Sequence, residues 1–211
     1  MKFWTKVILL LLLLGAVAVW AEVLKSPAKP NEAAVYFLDV GQGDSELIQK
    51  GNFQVLIDGG PDDKVLQELG KAMPISDRKI DIMILTHPDA DHITGLNQVL
   101  SRYQVGAIYS TGVLDTTDQY YEFTDKIKSM KISYIVPKID SNVNLFENGT
   151  LTFLWPGDKY DGQKTDNTND TSEIAKFCYF SFCALFTGDI EKDEQTEMLV
   201  HHDFSLDVAF N

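Results

Sequence analysis

The sequence predicts a β-rich α/β domain from Ala34 onward, reached through an apolar N-terminal segment. Three observations carry this. Strand-like stretches outnumber helical ones along the chain. One of them, "KIDIMILT" (79–86), is apolar on both faces, as a central strand covered on each side must be. Histidines and acids also crowd where strands end, "THPDADH" (86–92) above all, and strand ends are where open α/β sheets place ligands.

The elements follow in order. "MKFWTKVILLLLLLGAVAVWAEV" opens on Lys2 and Lys6, and an unbroken apolar stretch runs from Val7 to Ala21 before Glu22. That stretch is long for a signal-peptide core and just short of a typical membrane span. Residues 1–24 therefore read as a signal peptide or as an uncleaved signal anchor. Both place the rest of the chain across a membrane, because the lysines prefer the cytoplasmic side. "KSPAKPNEA" (25–33) has the prolines and polar residues of a linker. The domain occupies 34–211. "AVYFLDV" reads as a strand and "GQGD" as a tight turn whose glycines accept positive φ. "SELIQKG" and "FQVLIDGG" are further strands. "DKVLQELGKAM" has helical spacing at Val65, Leu66, Leu69 and Met73. After "KIDIMILT" come helices in "ITGLNQVLSRY" and "YYEFTDKIKSM", and strands in "VGAIYS", "ISYIVP", "NLFENGTLTFLWP" and "FSFCALFTGD".

The 18 basic and 31 acidic residues give a formal charge of −13. That balance argues against a broad basic face for nucleic acid, since like charges repel at long range. The two cysteines, Cys178 and Cys183, are separated by four residues. A hairpin loop over Tyr179 to Phe182 would set them opposite each other, and export would permit a disulfide. Two buried thiols packed in strands are the favoured reading. "NGT" (148–150) and "NDT" (169–171) match glycosylation acceptors, a pattern common by chance.

The cluster in "LTHPDADHITGL" (85–96) needs a physical reason, because its acids repel one another. A helix cap would explain Asp91 alone. It leaves His87, Asp89 and His92 unexplained. Neutral imidazoles beside carboxylates suit Zn²⁺ or Mn²⁺, and a divalent ion removes the repulsion. Two close pairs, His87 with Asp89 and Asp91 with His92, suggest two metal ions.

"HPDADH" resembles the H-x-[HD]-x-D-H motif of the metallo-β-lactamase superfamily. "FLDVGQGDSELI", "VLIDGG", "ILTHPDADHITGL" and "LFTGDIE", in this order, resemble the extracytoplasmic hydrolase domain of ComEC-type competence proteins and its stand-alone secreted relatives. The resemblance runs from Val35 to Asp189. It implies an αββα sandwich of two mixed sheets flanked by helices. It implies a metal-dependent hydrolase that attacks a phosphodiester, DNA among the candidates, with a metal-held hydroxide. It also implies His87 and Asp89 as ligands of a first ion, Asp91 and His92 as ligands of a second, and Asp189 as the bridge. It implies Asp91 and His92 as the catalytic pair. Asp58, in "IDGG", matches the buried aspartate that holds the metal-binding loop, and a turn residue before two glycines is the plainer reading. Asn169 and Ser172, in "TNDTS", either line the site or belong to a polar loop. Asp39 and Asp44 are assigned to ordering the hairpin around "VGQG", with no part in the chemistry.

One departure is plain. The family pattern continues past the bridging aspartate to an H-H-G-S-like motif whose histidine completes the second metal site. Here His201 and His202 are followed by "DFSLDVAFN". "EKDEQTEMLVHH" reads as a helix, with both histidines facing solvent at its dipole-favoured end. The expectation is a truncated chain lacking its last elements and one imidazole ligand, hence a metal-binding fragment of weak or no activity. "HITGL" also departs from the family's usual Gly-Gly, which bears on close backbone approach.

Overall fold

The computed structural model describes residues 3–23, 32–74 and 76–201. The first helix, α1 (Phe3–Val23), carries the apolar segment. At about 1.5 Å per residue it is some 30 Å long, the thickness of a bilayer core. It is long and apolar enough to cross a membrane or to serve as a signal sequence, and none of Phe3–Trp20 is buried against the rest of the protein. Lys2 and the linker residues 25–31 lie outside the described residues.

The domain is built on strands that alternate their side chains between faces. In β1 (Ala33–Phe37), β2 (Glu46–Lys50), β3 (Phe53–Ile57), β4 (Lys79–Leu85), β5 (Gln104–Ser110) and β6 (Ser133–Ile135) that alternation makes one mixed six-stranded sheet, in that spatial order. β2 runs antiparallel to both β1 and β3, and β3 to β6 run parallel. Each parallel step needs a crossover, supplied by α2 (Lys64–Ala72), α3 (Ala90–Leu100) and α4 (Asp118–Met130). All three helices lie on one face. Val65, Leu69, Ile93, Leu96, Phe123 and Ile127 pack there with Leu47, Leu56 and Met83. The opposite face presents Ile48, Val55, Ile57, Ile82 and Ile84 to a second core. β3 and β4 are thus buried on both sides, which is why "KIDIMILT" is apolar on both faces from Ile82 to Leu85.

The second core is closed by a four-stranded antiparallel sheet, in the order β10-β9-β8-β7, made of β7 (Asn142–Phe146), β8 (Gly149–Trp155), β9 (Ile174–Tyr179) and β10 (Phe182–Phe186). Leu151, Phe153, Phe177 and Phe186 supply its inner face. On its outer face Ile190 and Met198 pack with Leu154, Trp155 and Ile174. Met198 lies on α5 (Lys192–His201), so α5 forms the fourth layer. The order of layers is helices, sheet, sheet, helix. His202 and the segment after it, on which the expected loss of a ligand was read, lie outside the described residues.

The cysteines correct the favoured reading. Cys183 is opposite Cys178 in the β9–β10 register, and the two are joined by a disulfide. The reason is the two-residue turn, Phe180-Ser181, which places their side chains on the same face of the hairpin.

Candidate metal centre

The ends of strands from both sheets converge at one end of the sandwich. Asp58 follows β3, and Thr86 and His87 follow β4. Asp89 caps α3, and Asp91 and His92 lie in its first turn. Ser172 precedes β9, and Asp189 follows β10. Glycines make this convergence possible. Gly59 N–H donates to His92 O and Gly95 N–H to Gly60 O, each at 2.9 Å. A Cβ on Gly95 would lie 1.8 Å from Gly59 O, and one on Gly43 would lie 1.9 Å from Asp91 O. The "IDGG" and "GQGD" turns are therefore pressed directly onto the first turns of α3. One glycine in "HITGL" suffices for the approach.

Asp58 is fully buried and organises the centre. Its Oδ1 accepts Thr86 N–H at 2.9 Å, and its Oδ2 accepts Thr86 Oγ1–H at 2.6 Å. The same Oδ2 accepts His92 Nδ1–H at 2.8 Å. Having given its proton to Asp58, Thr86 Oγ1 accepts from His87 Nδ1 at 3.0 Å. Both histidines thus carry hydrogen on Nδ1, and both leave Nε2 for something else. Neither Nε2 has a hydrogen-bond partner among the described residues, although both residues are fully buried. Their rings lie 4.1 Å apart between centroids. His87 Nε2, His92 Nε2 and an Asp189 carboxylate oxygen all fall within 4.8 Å of one another. His92 Nε2 is 3.7 Å from Asp189 Oδ2, and His87 Nε2 is 3.9 Å from Asp89 Oδ2. Orphaned buried polar atoms cost free energy. Two imidazole nitrogens and a carboxylate aimed at one point are a donor set that a divalent ion such as zinc satisfies.

The electrostatics follow from burial and from Asp58. Burial lowers the basicity of His87, and the neighbouring His92 lowers it further. Burial acts on His92 in the same direction, but the Asp58 hydrogen bond and charge overcome it, with help from Asp189 and Asp91. The net effect pushes His92 up to about 9.

The expected site residues are not all brought together equally. His87, His92 and Asp189 form the three-way group, and Asp89 joins through His87. Thr168 Oγ1 donates to the other oxygen of Asp89, Oδ1. Asp91 is close enough to raise His92, yet its Oδ2 accepts Gln42 Nε2 at 3.0 Å and it stands outside the three-way group. Ser172 is buried at the site. Its Oγ accepts Asp189 N–H at 3.1 Å and lies 3.4 Å from His87 Nδ1. Asn169 contributes its carbonyl to Ser172 N–H within a 3₁₀ turn. Thr86, Thr168 and Gln42 went unnoticed in the sequence, although each is part of a quoted motif. Asp44, set aside above as a hairpin residue, lies within reach of His92, Asp58, Asp189 and His87. Burial raises its carboxyl above the usual range.

The family model described as "Metallo-beta-lactamase superfamily" matches residues 38–160, more than half of the chain. The chain belongs to the metallo-β-lactamase superfamily. The matched stretch contains Asp58 and the whole "HPDADH" run. Among solved structures, the metallo-beta-lactamase fold protein YhfI from Bacillus subtilis superimposes with a TM-score of 0.51 at 17% identity, over 75% of this chain and 63% of that one. Rm3 metallo-beta-lactamase gives 0.47 at 16% identity, over 76% and 60%. Microtubule-associated protein 1A of Rattus norvegicus is 38% identical over 74 residues, 35% of this chain and 3% of its own length. The chain thus spans under two thirds of YhfI and a small fraction of the curated relative. As a metallo-β-lactamase superfamily member it has the fold of metal-dependent hydrolases, in a family that binds divalent metals such as zinc. It also carries a candidate metal site of the corresponding donor types.

Proposed function

We propose that this metallo-β-lactamase superfamily member is an extracytoplasmic metal-dependent hydrolase of phosphodiesters, with His87, Asp89, Asp91, His92 and Asp189 as its Zn or Mn ligands. The observation that carries the reading is the pair of buried, unpartnered Nε2 atoms facing Asp189. The phosphodiester assignment is supported by the resemblance of "FLDVGQGDSELI" and "ILTHPDADHITGL" to the hydrolase domain of ComEC-type proteins. The charge of −13 favours a short diester over a long duplex held along the surface. Export is supported by α1 and by the Cys178–Cys183 bond, which persists in oxidising compartments. In domain terms, 1–24 is the signal peptide or anchor, 25–33 the linker and 34–211 the hydrolase domain.

When bound, a divalent ion supplies charge for the scissile group and lowers the pKa of water. The chain does the rest. Asp58 and Thr86 lock both imidazoles in the Nδ1–H tautomer, so that each Nε2 is held for a ligand. Ser172 fixes the backbone of Asp189 through its N–H. Asp91, beside His92, takes the proton from the attacking water, and Gln42 orients its carboxylate.

A second reading is metal binding without turnover. It is favoured by one observation: Asp91 is held by Gln42, which leaves a single three-ligand group among the described residues. The test is Zn²⁺ and Mn²⁺ titration of the full chain, beside hydrolysis of bis(p-nitrophenyl) phosphate. Stoichiometric binding with turnover, both lost in His92→Ala and Asp189→Ala, supports the first reading. Binding with no diester turned over supports the second. A chain that takes up neither metal overturns both.

A further inference from the structure

The sandwich has two poles. The metal centre occupies one. The other gathers the first residue of β1, the β2–β3 turn, the β7–β8 turn and the tip of the β9–β10 hairpin. The strand registers require this: Ala33 lies opposite Lys50, Lys50 opposite Phe53, Gly149 opposite Tyr179, and Tyr179 opposite Phe182. Contacts between the sheets knit the pole into one surface. Lys50 Nζ sits 4.9 Å from the Tyr179 ring centroid and 5.1 Å from that of Phe146. Within the second sheet, Phe180 N–H donates to Asn148 O at 3.3 Å.

This pole exposes aromatic side chains. Phe180 is 70% exposed and Phe182 56% exposed. Phe180 also sits at φ 52°, a left-handed conformation that is costly for a bulky residue. The disulfide behind it closes the hairpin and holds that tip in place, and the Tyr179 ring supports the Phe180 ring edge-on at 4.7 Å. Single exposed apolar residues are ordinary. Two phenylalanines on a stapled tip are less so, and their position in the chain gives them a partner. β1 begins at this pole, and only residues 24–32 separate it from α1. A stretch of that length spans at most about 35 Å when fully extended. If α1 crosses a membrane, this pole is therefore kept near its surface. Around the hairpin tip the charged groups are Glu32, Lys50 and Glu147, and the start of β4 brings Asp77, Arg78 and Lys79 to the same end of the first sheet, with Asp77 and Asp81 accepting from Gln54.

We infer that the pole opposite the metal centre rests on the lipid bilayer, with Phe180 and Phe182 lodged in its interface. Aromatic rings favour that depth, where one side is apolar and the other wet. The inference rests on the anchored reading of the N-terminal segment. Its functional consequence is orientation. Tyr179 lies seven positions beyond Ser172 along β9, about 23 Å at some 3.3 Å per step. The metal cleft then faces away from the membrane, toward substrates arriving in solution.

The test uses the full chain in phosphatidylcholine vesicles, since the pole needs no anionic lipid. Nitroxides are placed on Glu147→Cys at this pole and, separately, on Thr116→Cys in the loop before α4. Their accessibility to a water-soluble nickel chelate and to oxygen is then measured. The expected result is severalfold lower nickel accessibility at 147 than at 116, with higher oxygen accessibility. In Phe180→Ser/Phe182→Ser, the label at 147 should become as nickel-accessible as that at 116, while the chain still floats with the vesicles. A chain that floats with both labels equally in water overturns the inference and leaves the anchor standing. Shielding that survives the double substitution overturns the role of the two phenylalanines. A chain that does not float overturns the anchored reading and the inference with it.

Discussion

Asp58 shows how much one residue can organise and how little of that the sequence reveals. "IDGG" identifies an aspartate before glycines, which equally describes a turn. Its role depends on partners 28 and 34 positions away, Thr86 and His92, that no local pattern joins to it. His87 and His92, two of the three residues of the candidate group, stood out in the sequence because histidines crowded with acids have no cheaper explanation. Thr86, Gln42 and Thr168 were not, because a lone hydroxyl or amide has many. Asp58→Asn keeps the shape and tolerates the position's φ of 52°, as asparagine does. It removes the charge that holds His92. Breaking a buried pair of this kind costs about 3–5 kcal/mol, and loss of a ligand-orienting carboxylate weakens metal binding about 10–100-fold. Chemical denaturation and zinc titration of Asp58→Asn should show both, and an unchanged zinc affinity would remove Asp58 from the site. Glu173 is a second isolated case. It is buried, neither carboxyl oxygen has a partner among the described residues, and burial raises its pKa well above 4.5. A carboxyl raised in the fold binds its proton more tightly there than when unfolded. Stability therefore falls as pH rises above about 4.5, by about 1.4 kcal/mol per pH unit until the folded carboxyl ionises. Glu173→Gln should remove that slope in urea midpoints measured from pH 4 to pH 8 and should raise stability at pH 7.

At the scale of elements, double-sided apolar runs and helical spacing revealed β3, β4, α2, α3 and α4. β9 was harder. "IAKFCY" places Lys176 among its apolar residues, and its turn with β10 is Phe180-Ser181, without the glycine or asparagine that signals a hairpin. With no turn signal to favour the hairpin over two buried thiols, the cysteine pairing was not decided by the sequence. The packing of α3 against the "IDGG" turn was partly visible as glycine usage, but its tightness was not. Gly95→Ala tests it. The added methyl would meet Gly59 O at 1.8 Å, so the helix must shift. Because His92 lies on the same helix, we expect Gly95→Ala to lower metal affinity at least about tenfold, the size of a disturbed ligand-orienting contact. Gly70→Ala in α2 has open space around its added methyl and should leave affinity unchanged. Calorimetric zinc titration of the two variants separates the outcomes. Equal affinities would mean that α3 and the turn adjust independently of the site.

At the scale of the molecule, the two buried imidazole Nε2 atoms that face Asp189 have no hydrogen-bond partner among the described residues, and an ion would complete them. Occupancy should therefore appear as global stability. A site-specific ion at 100 times its dissociation constant adds about 2.7 kcal/mol. For a domain of this size each kcal/mol moves the melting temperature by about 2–4 °C. Zinc should raise the melting temperature by about 5–10 °C and a chelator should reverse it. His87→Ala/His92→Ala should show no shift in either direction. A wild-type melting temperature indifferent to both treatments would mean that the two imidazoles close no ion site.

The raised basicity of His92 has a consequence for how metal enters. With its pKa near 9, the ring at pH 7 holds protons on both nitrogens, one shared with Asp58 and the other on Nε2 toward Asp189. If the candidate site takes an ion, the protein without it keeps a proton in that place, and uptake at neutral pH must expel it. The heat of zinc binding should then include the heat of protonating the buffer. It should differ between buffers of high and low protonation enthalpy by about one proton's worth at pH 7. That difference should fade as the solution approaches and passes pH 9, where the imidazole has already given the proton up.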